Sequence, residues 1–240
     1  MTTLGGFLDD VAGRFAGNEA LVFEGRRWTY AELQRDARRL AYGLIADGIE
    51  PGDRVAIHMR NRPEAAVALF GAAMAGAVAV PLSTFSSKPE LDYMIEHCGA
   101  TAVLTVDALP EAGERSLPPV DPDDPGLIIY SSGTTSTPKG MVHGHRAPTL
   151  QFRWQADLFR RTPETRLWTA LPMFWGAGLT AVGATLAAGG CWVAQETFEP
   201  GEALALMARE RATEPYSLPH QTQALAEHPD WASTDLSSLR

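Results

Sequence analysis

Leu127-Ile128-Ile129-Tyr130-Ser131-Ser132-Gly133-Thr134-Thr135-Ser136-Thr137-Pro138-Lys139-Gly140 is the stretch whose reading decides the fold. The run Leu127 to Tyr130 predicts a buried strand. It breaks into small hydroxyl residues, glycine, proline and one lysine. Such a loop suits a polyphosphate. Glycine lets the backbone approach the phosphates closely, and consecutive N–H groups in a turn form an anion-binding concavity. Lys139 adds a compact positive charge with three donors. The competing reading is a plain polar surface loop, which the Ser/Thr/Gly composition alone would also allow.

The spacing differs from the G-x-x-x-x-G-K-[ST] phosphate loop of many nucleotide hydrolases. Lys139 precedes the second glycine, and Met141 stands where a magnesium-binding hydroxyl would be expected. The order Tyr-Ser-Ser-Gly-Thr-Thr-x-x-Pro-Lys-Gly instead resembles the phosphate loop of the adenylate-forming (AMP-binding) superfamily. That superfamily includes acyl-CoA synthetases, luciferases and the adenylation domains of peptide synthetases. Ser136 departs from the pattern, where glycine is usual.

The resemblance extends over nearly the whole chain. Trp28-Thr-Tyr-Ala-Glu-Leu, Arg39-Leu-Ala, Gly48-Ile-Glu-Pro-Gly-Asp-Arg-Val-Ala-Ile and Gly76-Ala-Val-Ala-Val-Pro-Leu match the family's N-terminal scaffold. The fold it implies is α/β: the layered sheets of the acyl-CoA synthetase large N-terminal domain, incomplete at its C-terminal side. Two α/β subdomains are expected, 1–124 and 125–240. The boundary is the proline- and acid-rich stretch 107–124, and the family's small C-terminal lid domain is expected to be absent.

Composition sets limits on partners. The net charge of −9 over 240 residues argues against a nucleic-acid partner, because such binders carry a basic stripe. Cys98 and Cys191 lack metal-ligand spacing and read as buried free thiols. The N-terminus has no basic n-region and no long apolar run, which predicts a cytoplasmic protein. Residues 65–82 are uncharged over the length of a membrane span. They are mostly alanine, glycine and valine, however, and read better as a buried helix to about Ala75, a turn at Gly76 and a strand Val78–Val80.

Elsewhere, periodicity predicts a helix over 4–15 and a hairpin turning at Glu24-Gly25. Thr29 and Glu32 form a capping box opening the next helix. A strand Val55–His58, a helix 89–97 and a strand 102–105 follow. Past the phosphate loop come a strand 141–143, a helix 147–160 and a strand 167–170. The pattern helix Thr180–Ala188, two glycines, strand Cys191–Ala194 repeats that of 65–80. Pro200–Arg209 and 222–227 are further helices. His143 and His145, at i, i+2, would share one strand face, but no third ligand lies near them. The resemblance assigns His145 to a structural strand-to-helix junction.

Leu171-Pro172-Met173-Phe174-Trp175-Gly176-Ala177-Gly178 leaves a strand where open α/β sheets place ligands. It resembles the family segment Pro-x-Phe-His-x-x-Gly, which lines the acyl and pantetheine channel. Trp175 replaces the usual histidine, and an indole cannot act as acid or base. The resemblance makes Phe174, Trp175 and Gly176 pocket residues, with Trp175 a gate or wall; the alternative for Trp175 is an aromatic core residue. His220, opening the last helix, faces either substrate or solvent.

The resemblance implies ATP, Mg²⁺ and CoA. A carboxylate attacks the α-phosphate of ATP, giving an acyl-adenylate and pyrophosphate, and a thiol then displaces AMP. Ser131, Ser132, Gly133, Thr134, Thr135 and Lys139 would hold the phosphates. No Tyr-Gly-x-Thr-Glu segment occurs, so the family's metal-binding glutamate and catalytic lysine fall outside the chain. The chain is therefore expected to be the front half of an acid–thiol ligase acting on a fatty or aryl acid, inactive by itself. Loading of a carrier protein's phosphopantetheine is one alternative. A non-catalytic nucleotide-binding fragment, or a partner in a split enzyme, is another. A homodimer of the full-length enzyme is compatible with this reading.

Overall fold

In the computed structural model, which describes residues 2–131 and 138–240, helices and strands alternate along most of the chain. The order is α1 (Leu4–Phe15), β1 (Glu19–Phe23), β2 (Arg26–Thr29), α2 (Tyr30–Ala46), β3 (Arg54–Ile57), α3 (Pro63–Met74), β4 (Val78–Pro81), α4 (Lys88–Cys98), β5 (Ala100–Leu104) and β6 (Pro125–Ser131). There follow β7 (Lys139–Gly144), α5 (Arg146–Leu158), β8 (Arg166–Thr169), α6 (Gly176–Ala187), β9 (Cys191–Ala194), α7 (Pro200–Arg209), β10 (Glu214–Pro215) and α8 (Pro219–Ala226).

Two five-stranded sheets result, ordered β10-β8-β9-β1-β2 and β5-β3-β4-β6-β7. Among the described strand pairs, β1–β2 and β6–β7 are antiparallel and the others parallel. The layering follows from which faces are apolar. Strand side chains alternate between faces. In β9, Trp192 and Ala194 join the central core, while Cys191 and Val193 join a second cluster with Leu204 and Met207 of α7. In β4, Ala79 faces the central core, while Val78 and Val80 meet Met94 of α4. The central core is shared by both sheets and by α1, α2, α3, α5 and α6. Helices α3 and α6 are apolar nearly all round, as befits elements buried on every side.

The sheets cross the expected boundary at 124/125. Strands β1 and β2 join β8–β10, whereas β6 and β7 complete the sheet of β3–β5. The cause lies in β6, whose Leu127 is buried beside Ala79 of β4 in parallel register. The stretch before it crosses α2, where a Cβ on Gly43 would meet the Pro110 carbonyl oxygen at 2.4 Å.

The capping box is present: the Thr29 N–H donates to Glu32 at 2.8 Å and the Glu32 N–H returns a bond to the Thr29 hydroxyl at 3.2 Å. The repeated helix–glycine–strand pattern is also real. Helices α3 and α6 end at Gly76 and Gly189, with φ of 78° and 80°, where glycine alone is unstrained. Each glycine then feeds a strand of a different sheet. Among the described residues no helix is long and apolar enough to cross a membrane. Cys191 is buried, but Cys98 is only half-buried; both are free.

Candidate functional site

The phosphate-loop stretch lies in the β6–β7 hairpin. Tyr130 pairs with Gly140, and Ser131 with Lys139. Residues 132–137 lie outside the described residues, and with them the expected roles of Ser132, Gly133, Thr134 and Thr135. The two ends are defined. Ser131 is half-buried, and Lys139 is exposed with no ion-pair partner among the described residues. The end of β6 is tied to α4: the Tyr130 hydroxyl lies 2.8 Å from His97 Nδ1 and 3.2 Å from the Met94 carbonyl. Burial, helped by the neighbouring Cys98, pushes the Tyr130 phenol well above its ordinary range, so it stays neutral.

Ser131, Pro138 and Met141 line a cleft of about 430 Å³ together with Glu90 and the start of α6. Glu90 accepts a 2.8 Å hydrogen bond from the Ser87 N–H, which with the Ser87 hydroxyl holds its carboxyl below the ordinary range. Helix α6 begins at Gly176, earlier than the periodicity of its apolar residues suggests. The reason is local packing. The chain turns back at Pro172, whose carbonyl accepts from the Trp175 N–H at 3.0 Å. A Cβ on Gly178 would meet the same carbonyl oxygen at 2.2 Å. Glycine therefore lets the first turn of α6 sit against the exit of β8. Gly176 lines the cleft, so the helix N-terminus, with its partial positive charge, stands beside the hairpin.

Trp175 is the N-cap residue of α6 and is 38% exposed, so it is not a core residue. With the buried Phe174 it lines both the cleft and a second pocket of about 220 Å³. Phe85 completes an aromatic wall. Its ring meets Phe174 edge-on at 5.4 Å and Trp175 at 6.2 Å, and Phe174 meets Trp175 at 6.0 Å. His220, on the first turn of α8, lines the second pocket from the far side with Gln221. The structure thus brings together Ser131, Phe174, Trp175 and Gly176 around one cleft; Lys139 pairs with Ser131 but does not line it, and His220 lines the second pocket.

Two site residues escaped the sequence reading. Phe85 is a lone aromatic among hydroxyl residues, a pattern that carries no periodicity. Asn61 stands between two arginines ahead of an apolar helix, where a surface residue would be expected, yet it is buried and lines the second pocket. The two histidines do not share a strand face, because β7 ends at Gly144 and His145 opens α5. His145 is fully buried, with Nδ1 accepting from the Leu4 N–H at 3.4 Å. Burial holds its pKa below the ordinary histidine value. Among the described residues no three His, Cys, Asp or Glu side chains gather as a metal site.

The family model of the AMP-binding enzyme matches residues 8–118 and 107–240. Feruloyl-CoA synthase of Amycolatopsis sp is 38% identical over 90% of this chain, which covers 48% of that protein. Long-chain-fatty-acid–CoA ligase FadD13 of Mycobacterium tuberculosis is 30% identical over 89% of this chain, covering 49% of it. The chain thus spans about half the length of the curated relatives it matches. The inhibitor-bound N-terminal domain of FACL13 from Mycobacterium tuberculosis superposes with a TM-score of 0.91 at 28% identity, covering all of this chain and 69% of that one. The family match over most of its length, together with the layered sheets, shows that the chain belongs to the AMP-binding enzyme family.

Proposed function

We propose that this chain is the front part of an ATP-dependent carboxylic acid–CoA ligase. The observation that carries this reading is the shared cleft: Ser131, the cross-strand partner of Lys139, and the N-terminus of α6 line one space walled by Trp175. A polyphosphate at the hairpin meets the Lys139 ammonium. A carboxylate next to the α-phosphate meets the α6 N-terminus, and its organic group meets the aromatic wall. Fixed donors placed where charge develops lower the barrier to adenylation, and holding both reactants removes orientational cost.

In the first half-reaction a carboxylate oxygen bonds to the α-phosphorus as the bond to pyrophosphate breaks. In the second, the CoA thiol takes the acyl group and AMP leaves. Lys139, Gly133 and the hydroxyls of Ser131, Ser132, Thr134 and Thr135 hold phosphate, and Phe174, Trp175, Gly176 and His220 border the acyl and thiol paths. Mg²⁺ would accompany ATP, although among the described residues no three His, Cys, Asp or Glu side chains gather to hold it. A flat aryl acid suits the three edge-on rings better than a branched aliphatic one. Trp175-Gly176-Ala177 offers no charge for an amino-acid ammonium, which favours a simple acid over the substrates of peptide synthetases. ATP and CoA as co-substrates accord with a cytoplasmic setting.

The test is acid-dependent ATP–pyrophosphate exchange, in a protein with the length of the relatives. Lys139→Ala is expected to slow exchange far more than thioester formation from supplied acyl-adenylate. Equal loss in both half-reactions would overturn the assignment of Lys139.

A further inference from the structure

Three consecutive polar residues, Arg60, Asn61 and Arg62, follow β3 of one sheet, and each bonds to the other sheet's strand exits. Arg60 Nη1 donates to the Thr197 hydroxyl at 3.1 Å, and Arg62 Nη1 donates to Glu196 at 3.1 Å. Thr197 and Glu196 both lie just past β9. Asn61 sits between them and is only 2% exposed. Its Nδ2 donates to the Leu171 carbonyl at 2.9 Å, and its Oδ1 accepts from the Met173 N–H at 2.9 Å.

That pair of bonds copies what a neighbouring strand would supply. β8 ends at Thr169, and Pro172 has no N–H to continue a ladder. The backbone at 171 and 173 is buried and needs partners. One side-chain amide, with a donor and an acceptor side by side, meets both needs. The residue after Met173 is Phe174, and the next is Trp175, so the clamp sits immediately before the aromatic wall. Arg62 does not reach this segment, and Arg60 reaches only Thr197. Of these three side chains, Asn61 alone bonds to the backbone at 171 and 173 among the described residues, where the Leu171 N–H also donates to the Thr169 hydroxyl at 3.1 Å.

We propose that Asn61 is a positioning residue: it fixes the exit of β8 so that Phe174 and Trp175 stand as the wall between the two cavities. The inference deepens the functional reading above and rests on it for the meaning of the wall. The geometry can be tested without any ligand, so failure of either idea is visible separately.

The experiment compares the chain with Asn61→Ala. Two signals are read: NMR-detected hydrogen exchange of the Met173 amide, and the Trp175 part of the acrylamide-quenched fluorescence, obtained by difference against Trp175→Phe in each background. The expected result is Met173 exchange faster by about tenfold or more, as befits a lost buried hydrogen bond, with a changed Trp175 quenching constant. The Trp168 and Thr169 amides of β8 should exchange as before. A lowered melting temperature with an unchanged Trp175 signal would overturn the proposal, since Asn61 would then be structural only. Unchanged Met173 exchange would overturn it as well. If Asn61→Ala does not fold, Asn61→Asp decides by the Trp175 signal alone. It keeps the acceptor for Met173 but loses the donor to Leu171, so Met173 should stay protected while the Trp175 signal shifts; an unshifted signal would sink the idea.

Discussion

Ser131 and Lys139 face each other as the last described cross-strand pair of β6 and β7, one on each side of residues 132–137. Ser131 lines a cleft whose opposite side is the start of α6. Lys139 is exposed and holds no partner among the described residues, so its charge is available to a ligand. Lys139→Ala should weaken ATP binding by about tenfold at low salt, the scale of one charge-assisted hydrogen bond. Its unfolding free energy should stay within about 0.5 kcal/mol of the parent. Calorimetric titration and urea denaturation read the two quantities, and a loss of stability with unchanged ATP binding would contradict the role.

Trp175 is an N-cap residue leaning on Phe85 and Phe174 rather than a core residue. Trp175→Ala should join the two cavities at little cost in stability. Affinity for an aryl carboxylate should fall by roughly 2- to 10-fold, the worth of one aromatic pair. Affinity for acetate should be unchanged. Competition binding of the two acids measures the contrast; equal losses for both would argue against a stacking wall.

His145 gives the fold a pH dependence of known sign. It is fully buried, and burial lowers its folded pKa below the unfolded value of about 6.5. Between those two values the unfolded chain binds the proton and the folded chain does not. Its contribution is therefore whole above the unfolded pKa and is lost as pH falls toward the folded one. Urea midpoints at pH 7.5 and 5.5 should drop more in the parent than in His145→Gln. A parent that is equally or less sensitive than the variant would refute the assignment.

Arg161 is a buried cation at the end of α5. Its side chain has no solvent exposure; it donates to Glu214 at 2.9 Å and to the Ala181 carbonyl at 2.8 Å. Glu214→Ala leaves that charge uncompensated and should cost about 3 kcal/mol or more. Equilibrium unfolding measures it, and a cost below about 1 kcal/mol, as for a surface pair, would contradict the burial argument.

The sequence carried much of this. Thr29 and Glu32 announced the start of α2 because a capping box is local chemistry, and Gly76 and Gly189 announced helix ends because a positive φ favours glycine. The pairing of strands was less legible. Nothing local in Leu21 or Val22 says that β1 lies beside β9, residues far along the chain, so the sequence suggests a boundary at 124/125 that the two sheets cross. The same limit hid Asn61. Its two partners, Leu171 and Met173, are distant in sequence, and a lone asparagine before a helix looks like a surface residue until the fold buries it. Trp175 was legible through its segment; Phe85, which meets it only in space, was not.

The most direct test of the central claim is an NMR titration of this chain with inorganic tripolyphosphate, following backbone amides. The account predicts shifts confined to the hairpin ends Ser131 and Lys139, the loop between them, and the N-terminal turn of α6 at Gly176, with the hairpin shifts lost in Lys139→Ala. Shifts centred on the arginine-lined surface of α2 at Arg35, Arg38 and Arg39, or no shifts at all, would contradict it.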